Sequence, residues 1–319
     1  MSLRIASSGS AFCQPSSARL AANRCRSQVN HYVASDTDDD FEIRLDKAEG
    51  PVLTALVAAR AMRRADLLDE MTYMTKGRRR FAEDGSTRRL PREERTKVVA
   101  AFRGYLDTIP ESKRFDRDLF YELRDVVGKS GFGIGSAGLP AYNVLVEGYS
   151  QALDNDVVLS MKQANVPALS RFVDTSEVDA YFEHEGHRTA VSQRALQVHT
   201  DPLLGHTSLD GVGYVVSEIS PYEVDLDWSE INEPEDMRSV VDLLGRATAK
   251  IHCASDEDSH QDLVDFQVEQ AIARSLEGRR NEFVDWLCDW GMEYAVRVRE
   301  DHALFVDAFR EGRVGIAAT

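Results

Sequence analysis

Between Gly128 and Gly138 the chain reads Gly-Lys-Ser-Gly-Phe-Gly-Ile-Gly-Ser-Ala-Gly, five glycines in eleven residues, and the last six positions match G-x-G-x-x-G. Glycine lets a backbone turn tightly and present bare N–H groups to an anion. A dinucleotide-binding fold would need a helix straight after the glycines. Here Pro140 follows, then Tyr142 to Gly148, which reads as a strand. Strand, glycine loop, strand is the arrangement of a protein-kinase-like nucleotide flap. It is also the arrangement of a glycine-rich hairpin with no ligand.

The residues downstream extend the first reading. Lys162 closes a third strand, Asp156 to Lys162, where a kinase holds the α- and β-phosphates. An ammonium there is a compact point charge suited to phosphate oxygens. The plain alternative is a strand-edge lysine facing solvent. In the nucleotide reading Gly131, Gly133, Gly135 and Gly138 cradle the phosphates of ATP with its magnesium, and Lys162 pairs with them. Glu183 or Glu185 orients the lysine, Glu185 being chosen, and the segment Ser217 to Tyr222, with Glu218, forms a hinge whose backbone reads an adenine edge.

The transfer machinery has no counterpart. Phosphoryl transfer needs an orienting Asp and magnesium ligands. His199-Thr200-Asp201 begins H-x-D-x-x-x-x-N, but His206 stands in place of the Asn and Pro202 follows the Asp, so the segment reads as a helix end and turn. Asp40-Phe41-Glu42 reads as an acidic cluster rather than a metal motif. His184 and His187 are spaced H-E-G-H, not H-E-x-x-H, and His252, Cys253, Asp256, Asp258 and His260 read as a helix end and loop, so no metal site is assigned. Asp256 and Asp258 would be the unconventional acids of a still-active phosphotransferase. No G-x-S-x-G elbow is present.

Several elements must position these groups. Residues 51–75 have helical spacing through Leu53, Leu56, Val57, Ala61, Leu67, Leu68 and Met71. Lys76-Gly77-Arg78-Arg79-Arg80 then reads as a solvated basic turn, with an anion contact as the lesser alternative. Pro91 opens a helix to about Leu106. Strands follow at Tyr121–Val127, Tyr142–Gly148, Asp156–Lys162 and Gly213–Ile219, with a helix from Val178 to Val198 between the last two. The remainder is helical, over Asp236–Cys253, Leu263–Leu276 and Glu282–Arg310. The aromatics of the last helix, Trp286 and Trp290 among them, recur at helical spacing and read as core.

Length and composition bound the rest. The 319 residues, 43% hydrophobic, can bury a sizeable core. A net charge of -16 disfavours nucleic acid and anionic membranes as general partners, and neither is expected. Neither a membrane span nor a secretory signal is legible, and the four cysteines lack metal or disulfide spacing, so the cytoplasm is expected. The excess of Asp, and of Arg over Lys, is consistent with work in high salt, or with a GC-rich genome. The first 35 residues hold no acid at all and read as a disordered leader foreign to the folded domain.

Several segments resemble a prokaryotic family catalogued as domain of unknown function 2252. They are Val127-Gly128…Gly138-Leu139-Pro140-Ala141-Tyr142, Leu145-Val146-Glu147-Gly148, Leu159-Ser160-Met161-Lys162-Gln163-Ala164, Gly186-His187-Arg188…Ser192-Gln193-Arg194, Asp201-Pro202-Leu203-Leu204-Gly205, Ala249-Lys250-Ile251-His252-Cys253-Ala254 and Asp301-His302…Phe305…Phe309-Arg310. The resemblance implies a fold like that of aminoglycoside phosphotransferases in an unusual order, with an H-G-D-x-H-x-x-N segment and a D-F-D-like segment upstream of the glycine loop. This chain has neither, so it is expected to be the carboxy-terminal part of such a protein. Ser217-Glu218 also departs from the basic, Gln-containing strand end that the family implies.

The expectation is an α+β, kinase-like fold: a small antiparallel sheet with a glycine-rich flap, plus a mainly helical lobe. Its divisions are a leader (1–40), a helical segment (41–115), a small-lobe-like β-rich segment (116–222) and a helical segment (223–319). The function expected is that of a nucleotide-binding remnant or fragment of a small-molecule phosphotransferase. The alternative is a non-catalytic interaction domain, or half of a split protein that docks a separately encoded catalytic half.

Overall fold

The computed structural model describes residues 3–6, 20–21, 42–43, 49–115, 120–130, 138–148, 154–197, 200–228, 231–254, 256–257 and 265–313. The fold is mixed α+β, centred on a six-stranded, wholly antiparallel sheet. Three short strands come first: β1 (Leu3–Ala6), β2 (Leu20–Ala21) and β3 (Glu42–Ile43). Next are α1 (Gly50–Ala61), α2 (Arg64–Met71), β4 (Thr72–Thr75), β5 (Arg78–Phe81), β6 (Thr87–Arg89) and α3 (Arg92–Tyr105). The sheet continues with β7 (Leu123–Lys129), β8 (Ala141–Val146) and β9 (Val157–Gln163), then α4 (Ser176–Tyr181), α5 (Glu185–Leu196), β10 (Gly205–Leu209), β11 (Val212–Glu218) and β12 (Glu223–Leu226). Three helices close the chain: α6 (Pro234–Cys253), α7 (Val268–Leu276) and α8 (Arg280–Arg310). The six strands lie in the order β10-β11-β9-β8-β7-β6.

β8 and β9 read as continuous apolar runs because both faces are covered. Residues directly opposite in a ladder share a face, and successive residues alternate. One face packs Tyr142, Val144, Leu159, Met161, Tyr214 and Val216 against Val98, Ala101, Phe102 and Tyr105 of α3. The other packs Val127, Leu145 and Val158 against Leu68 of α2 and Phe81 of β5. A separate cluster joins α1 to β12 and α6 through Val52, Leu56, Leu226 and Val240.

The structure divides what periodicity had joined. Residues 51–75 are two helices and a strand, because Met62 and Arg63 are extended and Thr72–Thr75 pairs with Arg78–Phe81. Lys76 and Gly77 both have positive φ, 49° and 73°, the signature of a two-residue hairpin turn. The basic run is therefore a strand rather than a solvated loop. Arg79 is buried against Asp156 (3.4 Å), and Arg80 meets Asp125 (3.3 Å). The helix expected from Val178 to Val198 breaks at Phe182–His184, where His184 caps α5.

The last helix also differs from expectation. Among the described residues α8 buries no side chain, and Trp286 and Trp290 are 56% and 49% exposed. Spacing can show that residues share a helix face, but not that anything covers it. Of the acid-free leader only β1 and β2 are described, and β1 pairs with β12. Among the described residues no helix is long and apolar enough to cross a membrane.

Candidate functional site

The glycine tract joins β7 to β8, which are adjacent antiparallel strands, so the described residues at its two ends, Gly128 and Tyr142, lie opposite each other. Gly131, Gly133 and Gly135 lie outside the described residues. Gly138 is described and has φ +79°, a conformation that favours glycine. The carboxy-terminal end of the loop is tied to β9, where the Gln163 N–H donates to the Pro140 carbonyl (3.2 Å).

Lys162 is half-buried on β9, directly opposite Ala141 of β8 and Val215 of β11. The next row on that face runs Val127, Asn143, Ser160, Ser217 across β7, β8, β9 and β11. Asn143 is 1% exposed and Ser160 4%, yet among the described residues neither the Asn143 Nδ2 and Oδ1 nor the Ser160 Oγ has a hydrogen-bond partner.

Helix α5 lies over the same face. A Cβ on Gly213, which shares the face of Val215 and Lys162, would meet Nδ1 of His184 at 2.6 Å and N of Gly186 at 2.6 Å, so only glycine admits the helix this closely. Glu185, expected to orient Lys162, makes its ion pair with Arg188 of its own helix (2.6 Å). The hinge expectation meets a similar internal commitment. The Glu218 N–H donates to Asp201 Oδ2 (2.7 Å), that of Ile219 to the Val158 carbonyl (2.8 Å), and that of Tyr222 to Ser220 Oγ (3.2 Å). The Glu218 carboxylate meets Arg64 at 2.6 Å. Burial raises the pKa of both Glu218 and Asp201 above the ordinary carboxylate range.

Three imidazoles gather where α5 meets β10. His187 stacks on His206 (centroids 4.5 Å), and His184 meets His206 edge-on (5.3 Å). Burial, and then the neighbouring imidazoles, push His206 down to about 4 and His184 also downward. Glu183, His184 and His206 bring one ligand atom each within 4.8 Å of one another. The His184 Nδ1 already accepts the His187 N–H (3.1 Å), which leaves its proton on Nε2 in the neutral ring. A metal here would have to break that cap or displace that proton, so none is assigned. Asp256 is buried and accepts from the Val268 N–H (3.1 Å) as a helix-end staple, while Asp258 and His260 lie outside the described residues.

Asn143 and Ser160 escaped the sequence reading. Their signal was present: Asn143 interrupts the apolar run Ala-Tyr-Asn-Val-Leu-Val of β8, and Ser160 interrupts Val-Val-Leu-Ser-Met, the apolar part of β9 before Lys162 and Gln163.

Fold and site together define an α+β protein whose central sheet packs an apolar cluster on each face and, on the face opposite α3, also carries lysine, carboxamide, hydroxyl and imidazole groups. The chain belongs to the family described as "Uncharacterized protein conserved in bacteria (DUF2252)", whose profile matches residues 4–308, nearly the whole sequence. No curated protein and no solved structure matches it.

Proposed function

We propose that this protein binds a nucleotide in the manner of a kinase small lobe, as a remnant or fragment of a small-molecule phosphotransferase-like protein. The observation that carries the reading is connectivity. Strands β7, β8, β9, β11 and β10 are neighbours in that order, the glycine tract joins the first two, Lys162 closes the third, and α5 follows on the face that Lys162 shares. A kinase orders glycine loop, strand lysine and helix in the same way. Gly131, Gly133, Gly135 and Gly138 would then cradle the phosphates of MgATP, and Lys162 would pair with them. Glu185 would have to exchange Arg188 for Lys162 to play its part. The chain contains neither an H-G-D-x-H-x-x-N nor a D-F-D segment, so no transfer step is assigned to it and little or no phosphotransferase activity is expected. Calorimetric titration with MgATP at low and high salt tests the reading. Millimolar or tighter affinity supports it, and no heat of binding under either condition removes it.

A second reading is supported by the exposed aromatic helix α8. Docking of a separately encoded catalytic half would cover Trp286 and Trp290. Association that grows with concentration and is lost on Trp286→Glu would favour it, and a monodisperse monomer indifferent to that change would count against it.

A further inference from the structure

We infer that Asn143 and Ser160 form a base-recognition pair that reads the donor–acceptor edge of an adenine, an inference that rests on the nucleotide reading above. Buried polar side chains in folded proteins are almost always hydrogen-bonded. Among the described residues these two find no partner, although each is more than nine-tenths buried. They are cross-strand neighbours, so their polar atoms are brought together on one face of the sheet. That face is also the face of Lys162, which lies two residues beyond Ser160 on the same strand.

Their neighbours in β8 and β9 sharpen the point. The other buried residues of these two strands are Ala141, Tyr142, Val144, Leu145, Val146, Val157, Val158, Leu159 and Met161; all are aliphatic or thioether except Tyr142, whose hydroxyl donates to Glu94 (3.1 Å). A sequence that places two unpartnered polar groups side by side in such strands departs from the apolar pattern, and such departures mark functional sites.

The chemistry selects a ligand class. A carboxamide offers one donor and one acceptor side by side, which matches the N7 acceptor and N6 donor of adenine; guanine shows two acceptors, O6 and N7, on that edge. The Ser160 hydroxyl can donate or accept as the bound base requires. The backbone alternative is already engaged, since the N–H groups of Glu218, Ile219 and Tyr222 are bonded within the protein. A side-chain pair supplies what this hinge does not.

The test is calorimetric titration of the full chain and of Asn143→Leu and Ser160→Ala with MgATP, MgGTP and magnesium tripolyphosphate, alongside thermal melting of each variant. The wild type should bind ATP about tenfold more tightly than GTP or tripolyphosphate, the worth of roughly one good hydrogen bond to ligand. Each variant should bring ATP to the level of tripolyphosphate while melting no lower than the wild type. Ser160→Ala removes a single oxygen and keeps the test sound should Asn143→Leu fail to fold. If the folded variants keep the preference for ATP, the pair is structural and the inference falls. If the wild type binds ATP no more tightly than tripolyphosphate, base recognition falls while the phosphate site stands. If neither binds, the nucleotide reading and this inference fall together.

Discussion

Beneath α3 the central sheet carries Tyr142, Val144, Leu159, Met161, Tyr214 and Val216; on the opposite face the same strands carry Asn143, Ser160, Lys162 and Ser217. Both faces are covered, but they are covered differently. The α3 face is closed by Phe102 and Tyr105 in a single apolar cluster. The other face packs Leu145, Val158 and Val127 against Leu68 and Phe81, and toward the glycine tract it mixes Asn143, Ser160 and Lys162 with Ala141 and Val215. A pleated strand can serve both ends at once because its side chains alternate. The larger apolar cluster thus lies on one side of β8 and β9, and polar groups can be placed on the other without interrupting the ladder that joins them.

Substitutions should separate the two faces. The largest effect is expected for Phe102→Ala, which should cost about 3–5 kcal/mol in urea denaturation by leaving a cavity under the sheet. A loss below about 1 kcal/mol would show that the α3 face is not the main support. Next comes Asp125→Ala. The Asp125 carboxylate accepts from the Phe81 N–H (3.0 Å) and from Arg89 (2.7 Å), so its loss should cost about 2–3 kcal/mol and loosen β5 from the sheet, visible as faster amide exchange at Phe81.

The pH dependence should be smaller. His206 and His184 are depressed in the folded protein, so between about 6.5 and about 4 the unfolded chain binds more protons and stability falls as pH falls. Asp201 and Glu218 are raised and act oppositely, since the folded protein protonates first and gains stability as pH falls toward 3.8 and 4.5, their ordinary values. His206→Gln removes part of the first effect and leaves the second. Wild type should lose about 2 kcal/mol more than that variant between neutral pH and pH about 4.5. Equal losses would mean that His206 is not held neutral by its surroundings. Smallest of all, Asn143→Leu should leave stability unchanged or raise it by up to about 1 kcal/mol, since it removes an unbonded carboxamide. A clear loss would turn the polar row into ordinary support and erase the contrast between the faces.

The strands that carry the contrast were legible in sequence because they are apolar runs bounded by turn residues, and β7, β8, β9 and β11 all lie within a few residues of their expected positions. What was missed was polar. β10, His-Thr-Ser packed between Gly205 and Leu209, has no apolar alternation, although its turn Asp210-Gly211, with φ 50° and 81°, is a strong hairpin signal. The β4–β5 hairpin was hidden because Arg79 and Arg80 read as solvent-facing until Asp156 and Asp125, distant in sequence, supply their partners. Long-range pairing likewise decides that Glu218 meets Arg64, which no local pattern encodes, whereas the Glu185–Arg188 pair is an i,i+3 pair on one helix whose spacing was present in the sequence. The aromatic stripe of α8 was seen correctly as a stripe and wrongly as core, because amphipathicity is a property of one helix and burial is a property of two.

The central claim is that the Lys162 side of the sheet receives a nucleotide's phosphates. Side-by-side calorimetric titration of MgATP into the wild type and Lys162→Ala tests it most directly. The account predicts saturable binding by the wild type and affinity reduced about tenfold or more in the folded variant. Equal affinity in two folded proteins would contradict it.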